Sequence, residues 1–515
     1  MINVGIFWAV PNPYEGGWNF YEIKKAYTEA DANSLGFIDY PYSHYEKWDD
    51  VRSASETSDC YFYPRGRVLY NTITGKHRIF ADECLDEYDL QEIVELFEIE
   101  DFELCRDEHY VSAFTIKSAA PVLTYNILRG RDKIGENLIE ICYGETKVLV
   151  ELGKALDGGD ARSDIEKTVL QTKYDAVIVS HYHADHAGLI EYKKDCPVYI
   201  GSGAYRIVGA MCEYHNKTVQ SNLSTYKNGR AFAVGGIRIT PFLCDHSAFD
   251  SYMLLFEAGG KRILYTGDFR FHGRKNCGEL LSRLPKKVNT LLCEGTNVGS
   301  DKPCFSEREL ESALVEIMRK SDKPVFVLQS GTNIDRLVSV YRASKRSNRI
   351  LYEDNYAALI AAAAGGKIPR PDVFDDVYAF TPRVLRGKRK DLFFEFENVR
   401  GLRHIPKNGS FTMLVRPSMR DYMKKLANRM DLSAAVLIYS MWSGYKQNDD
   451  MAEFLSAVQS LGIHIIDLHT SGHASAKDIE LFKQTVHADE YVTVHTCQTI
   501  LQQAERIEET GEIIS

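Results

Sequence analysis

Short apolar runs alternate with helix-period segments along most of this 515-residue chain. Residues 174–180, 198–200, 237–242, 288–293, 324–328, 434–440, 463–468 and 491–494 are apolar stretches bounded by turn residues. Runs this short read as buried strands, since helices need more length. Three pairs read as β-hairpins: 67–71 with 76–80 around Thr74-Gly75, 138–141 with 147–153 around Gly144-Glu145-Thr146, and 251–257 with 261–266 around Gly259-Gly260. Gly5 to Val10 reads as a further strand. Leu90, Ile93, Val94 and Phe97 fall at helical spacing, as do Ile479, Leu481 and Phe482. Helices also start near Ala187 and Ile334. Strands alternating with helices predict an α/β protein, and the length suggests about three domains.

Residues 1–112 precede any chemical motif and read as a small α+β domain without an assigned role. Its aromatic run at 40–48 suits a recognition surface, but aromatic filler in a small fold is the commoner explanation. A distinct segment occupies 305–450. Its Gln329-Ser330-Gly331-Thr332-Asn333 stretch offers backbone N–H groups at a helix start to an anion.

Composition changes this picture in three ways. No apolar stretch approaches the ~20 residues that span a membrane, and the N-terminus lacks the basic start of a signal peptide. Eleven cysteines without a CxxC pair favour a reduced, cytoplasmic setting. The net charge of −10 argues against indiscriminate nucleic-acid binding. It hides a cationic block that includes Arg383, Arg386, Lys388, Arg389, Lys390, Arg400, Arg403, Lys407, Arg416, Arg420, Lys424, Lys425 and Arg429, with few acids between. Such a run is ordinarily a solvated face. Beside a metal site it reads better as a footprint for a phosphate backbone, with Arg386, Lys388, Arg389 and Lys390 as candidate contacts. Trp442 and Tyr445 offer rings on which a base could stack, with core packing as the equally ordinary alternative.

The chemistry concentrates at His181-Tyr182-His183-Ala184-Asp185-His186, on the loop that leaves the strand at 174–180. Rigid scaffolds place chemistry on such loops. Three imidazoles and a carboxylate at this density suit divalent zinc. His181 and His183 can close on one ion, while Asp185 and His186 face a second.

These four residues match the HxHxDH motif of the metallo-β-lactamase superfamily. The resemblance implies an αββα sandwich. It also makes ligands of His246, at the end of the strand 237–242, and of Asp268 in Thr266-Gly267-Asp268, the expected bridge between ions. A lone histidine or a turn aspartate would otherwise be structural. Glu294, Ser471-Gly472-His473 and His495 are similar to the extra motifs of the β-CASP branch, which acts on nucleic acids and carries an inserted cassette. Asp245-His246-Ser247 and Ser471-Gly472-His473-Ala474 are especially similar to the bacterial ribonuclease J group, although Thr496-Cys497 replaces its usual Gly-Glu. The resemblance covers about 125–500.

It implies 113–304 and 451–515 as the two parts of the sandwich, with 305–450 as the cassette. Two Zn2+ ions, or Mn2+ in their place, are expected on His181, His183, His246 and Asp268 and on Asp185, His186, Asp268 and His495. The expected catalytic residues are Asp185, His473 as general acid and Glu294 orienting it, with His469 and Ser471 on the phosphate. The expected function is a zinc-dependent nuclease acting on RNA or single-stranded nucleic acid. A small-molecule metallohydrolase (a lactonase or small phosphodiesterase) is the runner-up, and an inactive nucleic-acid-binding scaffold of the same fold the third reading. A homo-oligomer and a protein partner for residues 1–112 stay open; a membrane partner is not expected.

Overall fold

The computed structural model describes residues 121–155, 164–300, 304–371, 373–380, 399–407 and 409–496, together with the backbone of five strands before residue 121. Two units divide at Pro121/Val122, nine residues beyond the expected boundary at 112.

The first unit holds a five-stranded sheet. Ile2–Pro11 pairs antiparallel with both Trp18–Ile23 and Tyr63–Tyr70. His77–Ala81 joins Tyr63–Tyr70 across the expected hairpin, and Phe102–Arg106 adds in parallel at the edge. The helix expected over 90–97 and the aromatic run at 40–48 lie outside the described residues.

The described residues of the second unit carry three sheets. The first has the order Leu223–Tyr226, Val198–Gly201, Ala176–Ile178, Thr146–Val150, Leu138–Tyr143, Thr124–Arg129. The second has the order Phe232–Val234, Ile237–Cys244, Ser251–Ala258, Lys261–Tyr265, Thr290–Glu294, Glu490–Val494. Alternate side chains from both, among them Ile139, Val148, Ile178, Ile239, Leu254, Phe256 and Leu292, meet in one core. The outer face of the first sheet packs against the helix Ser202–Tyr214 through Ala204 and Ile207. Met253, Leu255 and Leu264, on the outer face of the second, meet Ile479 and Phe482 of the helix Ala476–Val486. The result is the expected αββα sandwich. Covering both faces explains why Ser251–Ala258 is buried over six consecutive residues instead of alternating. Its hairpin with Lys261–Tyr265 turns through Gly259 at φ 54° and Gly260 at φ 75°, a two-residue loop that demands left-handed backbone at both positions.

The third sheet is parallel throughout, in the order Val399–Arg400, Val377–Phe380, Ile350–Asp354, Phe411–Val415, Val325–Leu328, Val436–Tyr439, His464–Asp467. Apolar clusters cover both faces, which is what a parallel sheet requires. These strands and their covering helices therefore form a second α/β layer system. Its sheet continues past residue 450, because His464–Asp467 pairs with Val436–Tyr439 and not with the sandwich. The chain returns to the sandwich with Ala476–Val486 and Glu490–Val494. The latter lies parallel to Thr290–Glu294 with Glu294 opposite Val494.

Candidate metal centre

Each strand of the sandwich that matters ends at one rim. Ala176–Ile178 leads to Ser180 and the histidine loop, Ile237–Cys244 to His246, Lys261–Tyr265 to Asp268, and Glu490–Val494 to His495. Close backbone packing holds the loop. A Cβ on Gly153 would fall 1.9 Å from the Asp185 carbonyl oxygen, so only glycine fits there. Leu152 N–H donates to the His186 carbonyl, and both the backbone and the side-chain amide of Asn137 donate to the Asp185 carbonyl.

The structure brings all seven expected ligands together in two groups. His181, His183 and His246 form one, and Asp185, His186, Asp268 and His495 the other; within each group the ligand atoms lie within 4.8 Å of one another. Asp268 Oδ2 stands between them, 3.8 Å from Nε2 of His181, 3.8 Å from that of His246, 3.2 Å from that of His186 and 3.9 Å from that of His495. His181 Nε2, His495 Nε2 and both oxygens of Asp268 are buried without a hydrogen-bond partner among the described residues. Orphaned polar atoms carry a desolvation cost that a coordinating cation removes. The donor set, imidazole nitrogens and carboxylate oxygens, fits a first-row divalent ion.

Titration behaviour agrees with that fit. Burial holds His181 and His246 well below the ordinary imidazole range, pushes His183 down to about 4 and lowers His495, so these lone pairs are free for a cation. His186 is the exception. Burial opposes its protonation, but the charges of Asp268, Asp185 and Glu151 outweigh burial and raise it well above that range. Asp268 is held well below the carboxylate range, because the surrounding histidines overcome its burial.

Supporting residues escape a reading of motifs. Glu151 is fully buried at φ 63°; it accepts from Ser180 N–H and lies 3.2 Å from His186 Nδ1. The Asn137 amide lies 2.8 Å from His495 Nδ1 and 3.2 Å from His186 Nε2. His246 Nδ1 donates to the Gly472 carbonyl at 2.6 Å. A charged or amide side chain at a buried strand end was the only available signal for Glu151 and Asn137.

Glu294 and His473 also meet at this rim. Glu294 Oε2 is 3.0 Å from His473 Nδ1, and Glu294 Oε1 accepts from the N–H groups of Phe269 and Ala474. Thr296 Oγ1 lies 3.2 Å from the same imidazole nitrogen. Burial works against the charged form of His473, but Glu294 and Asp268 outweigh it and raise the imidazole to about 9. Ser471 Oγ accepts from His473 N–H and from the Asn297 amide, so it braces the loop. Burial and the nearby Arg336 guanidinium push His469 down to about 4, which leaves that ring neutral near pH 7.

Arg386, Lys388, Arg389 and Lys390 lie outside the described residues. Other members of the cationic block are engaged within the fold, Arg416 with Asp354 and Arg420 with Glu453. Trp442 is 62 % exposed and Tyr445 38 %, so these rings do not serve as core.

Comparison with known proteins gives the class first. Residues 160–319 match the model of the beta-lactamase superfamily domain. Ribonuclease J of Mycobacterium tuberculosis (strain ATCC 25618 / H37Rv) is 25 % identical over 241 residues, 43 % of this chain and 42 % of that protein. Endoribonuclease YSH1 of Gibberella zeae is 24 % identical over 345 residues, 58 % of this chain and 41 % of that protein. A protein of unknown function from Enterococcus faecalis V583 shares the fold, with a TM-score of 0.58, 17 % identity, and coverage of 73 % of this chain and 94 % of that one. The chain is thus similar, over part of its length, to the metallo-β-lactamase superfamily and, within it, to the β-CASP ribonucleases. It spans less than half the length of the curated relatives it matches. Among the described residues no helix is long and apolar enough to cross a membrane.

Proposed function

We propose that the protein is a metal-dependent nuclease that hydrolyses phosphodiester bonds in RNA, using two zinc ions (or manganese) on the seven ligands. The pairing of Glu294 with His473, 3.0 Å apart beside the ligand cluster, carries this reading, because a small-molecule hydrolase needs the metals but no such acid. The names of the ribonuclease relatives support RNA as the polymer.

His181, His183, Asp185, His186, His246, Asp268 and His495 would hold the ions, which would supply Lewis acidity at the phosphoryl group. The protein's residues do the rest. Asp185 and Asp268 present carboxylate oxygens at the centre. His473 stays protonated at neutral pH and hands its proton to the departing 3′-oxygen. Glu294 fixes that ring through Nδ1 and favours its charged form. Ser471 holds the loop that carries it. The cationic segment with Arg386, Lys388, Arg389 and Lys390 gathers the backbone, and Trp442 and Tyr445 give unpaired bases a surface. The division into a sandwich and a cassette belongs to the same proposal, as does a cytoplasmic setting, which the free described cysteines support.

The test compares bis-p-nitrophenyl phosphate with labelled RNA, single-stranded DNA and duplex DNA. Replacing Arg386, Lys388, Arg389 and Lys390 together by Ala should weaken oligonucleotide binding and flatten its salt dependence by ~0.7 per lost single-strand contact, leaving the small ester untouched. An unchanged oligonucleotide response at every salt concentration would remove the proposed footprint.

A further inference from the structure

A second reactive cluster touches the loop that carries His473. Cys304 Sγ lies 3.1 Å from Nε2 of His272 and 3.5 Å from its Nδ1. His272 Nε2 also donates to the Ser471 carbonyl at 2.9 Å, and its Nδ1 stands 3.6 Å from Asp478 Oδ2. Both ring nitrogens therefore face acceptors, which a doubly protonated imidazolium satisfies and a neutral ring cannot. The sulfur beside it is set to carry the balancing negative charge.

The titration directions agree from both sides. Burial opposes the charged form of His272, but Asp478 and Cys304 raise it to about 9. Burial raises the Cys304 thiol, and His272 more than reverses that, holding it below its ordinary value. Burial without such a partner raises Cys142 and Cys212, which are also half-buried. Cys304 is half-buried too, so a small reagent can reach it. The cluster is stitched to the catalytic loop at three points. His272 holds the Ser471 carbonyl, the Thr470 hydroxyl donates to the Phe305 carbonyl, and Cys304 Sγ lies 3.8 Å from the Thr470 hydroxyl oxygen.

We propose that Cys304 is a reactive thiol, activated by His272 and Asp478, whose oxidation by a hydroperoxide disturbs the Ser471-Gly472-His473 loop and slows turnover. The thiolate sulfur attacks the terminal peroxide oxygen. A sulfur–oxygen bond forms, the oxygen–oxygen bond breaks, and sulfur gives up two electrons. The departing alkoxide takes the proton of the His272 imidazolium, leaving a sulfenic acid, an alcohol and a neutral imidazole. That imidazole has one N–H left for two acceptors, and so the hold on the Ser471 carbonyl competes with the approach to Asp478. A dithiol reverses the change.

The reactivity itself is read without reference to nuclease activity; only the effect on turnover rests on the proposed function. The full chain is treated briefly with iodoacetamide near pH 7, and labelled peptides are quantified by mass spectrometry. Cys304 should react about tenfold faster than Cys142 and Cys212, and His272→Gln should remove that advantage. Equal rates at the three cysteines, or rates indifferent to His272→Gln, overturn the proposal. In the second arm the zinc-loaded protein receives tert-butyl hydroperoxide. RNA cleavage should fall severalfold, return with dithiothreitol, and coincide with dimedone capture at Cys304, while Cys304→Ser keeps its activity. Equal loss in Cys304→Ser overturns the link to the loop. Selective labelling of Cys304 in a protein that cleaves no RNA even before oxidation contradicts the nuclease reading and leaves the thiol site standing.

Discussion

At the scale of single residues, the proposed proton transfer depends on His473. Glu294 and Asp268 outweigh burial and raise its imidazole to about 9. The group is raised, so its protonated form is complete at pH 6 and disappears as pH climbs through about 9. Cleavage should therefore fall on the alkaline side. Glu294→Gln deletes the leading stabilising charge and should shift the alkaline limb to lower pH, measured as the pH dependence of kcat. A limb that stays in place would mean that another group donates the proton. His473→Ala should cut kcat by ~10²–10⁴-fold while the metal content stays unchanged, which assay and metal analysis on one sample check together. The histidine cluster was legible because its ligands are sequence neighbours with a recognisable spacing. Glu151 and Asn137 were not, since they reach the site only through sheet pairing and packing, and Asn137 stands 48 residues from the carbonyl it holds.

At the scale of elements, the centre is assembled by strand order. Glu490–Val494 must find Thr290–Glu294 across the whole insert before His495 can join Asp185 and His186. Buried carboxylate and imidazole atoms without partners should make that edge loose without cations. Adding zinc to chelator-treated protein should raise Tm and slow amide exchange in Glu490–Val494, because a ligand that binds only the folded state stabilises it by mass action. Identical melting with and without zinc would contradict the assignment of these atoms as ligands. The apolar run at 463–468 was legible as a strand, but its sheet was not. Nothing local distinguishes a strand that pairs with Val436–Tyr439 from one that returns to the sandwich, and partner choice is a long-range property. Arg416 shows the same limit, for its partner is Asp354, 62 residues earlier.

At the scale of the whole molecule, the parallel-sheet layers are tied to the sandwich by a largely buried charge network. Glu307 accepts from Arg336 and lies 3.4 Å from Arg270, while Arg270 reaches Asp245, Asp335 and the Ser471 carbonyl. Arg336 also holds Ser440 and the Thr470 carbonyl. Removing one member leaves an uncompensated buried charge, so Glu307→Ala should destabilise by ~3–5 kcal/mol in urea titration. Burial opposes ionisation of Glu307, and the two guanidinium groups overcome it, lowering the carboxyl from 4.5 to about 2. A depressed pKa contributes stability above pH 4.5 that is lost as pH falls through about 2, and Glu307→Gln should be less acid-sensitive than the parent across that window. The assembled molecule is proposed to cleave RNA. Its most direct test is cleavage of an end-labelled single-stranded RNA by zinc-reconstituted protein, with and without chelator. The RNA should shorten in a metal-dependent way that chelation abolishes and zinc or manganese restores. Intact RNA beside rapid hydrolysis of a small ester or lactone would contradict it and leave a small-molecule metallohydrolase.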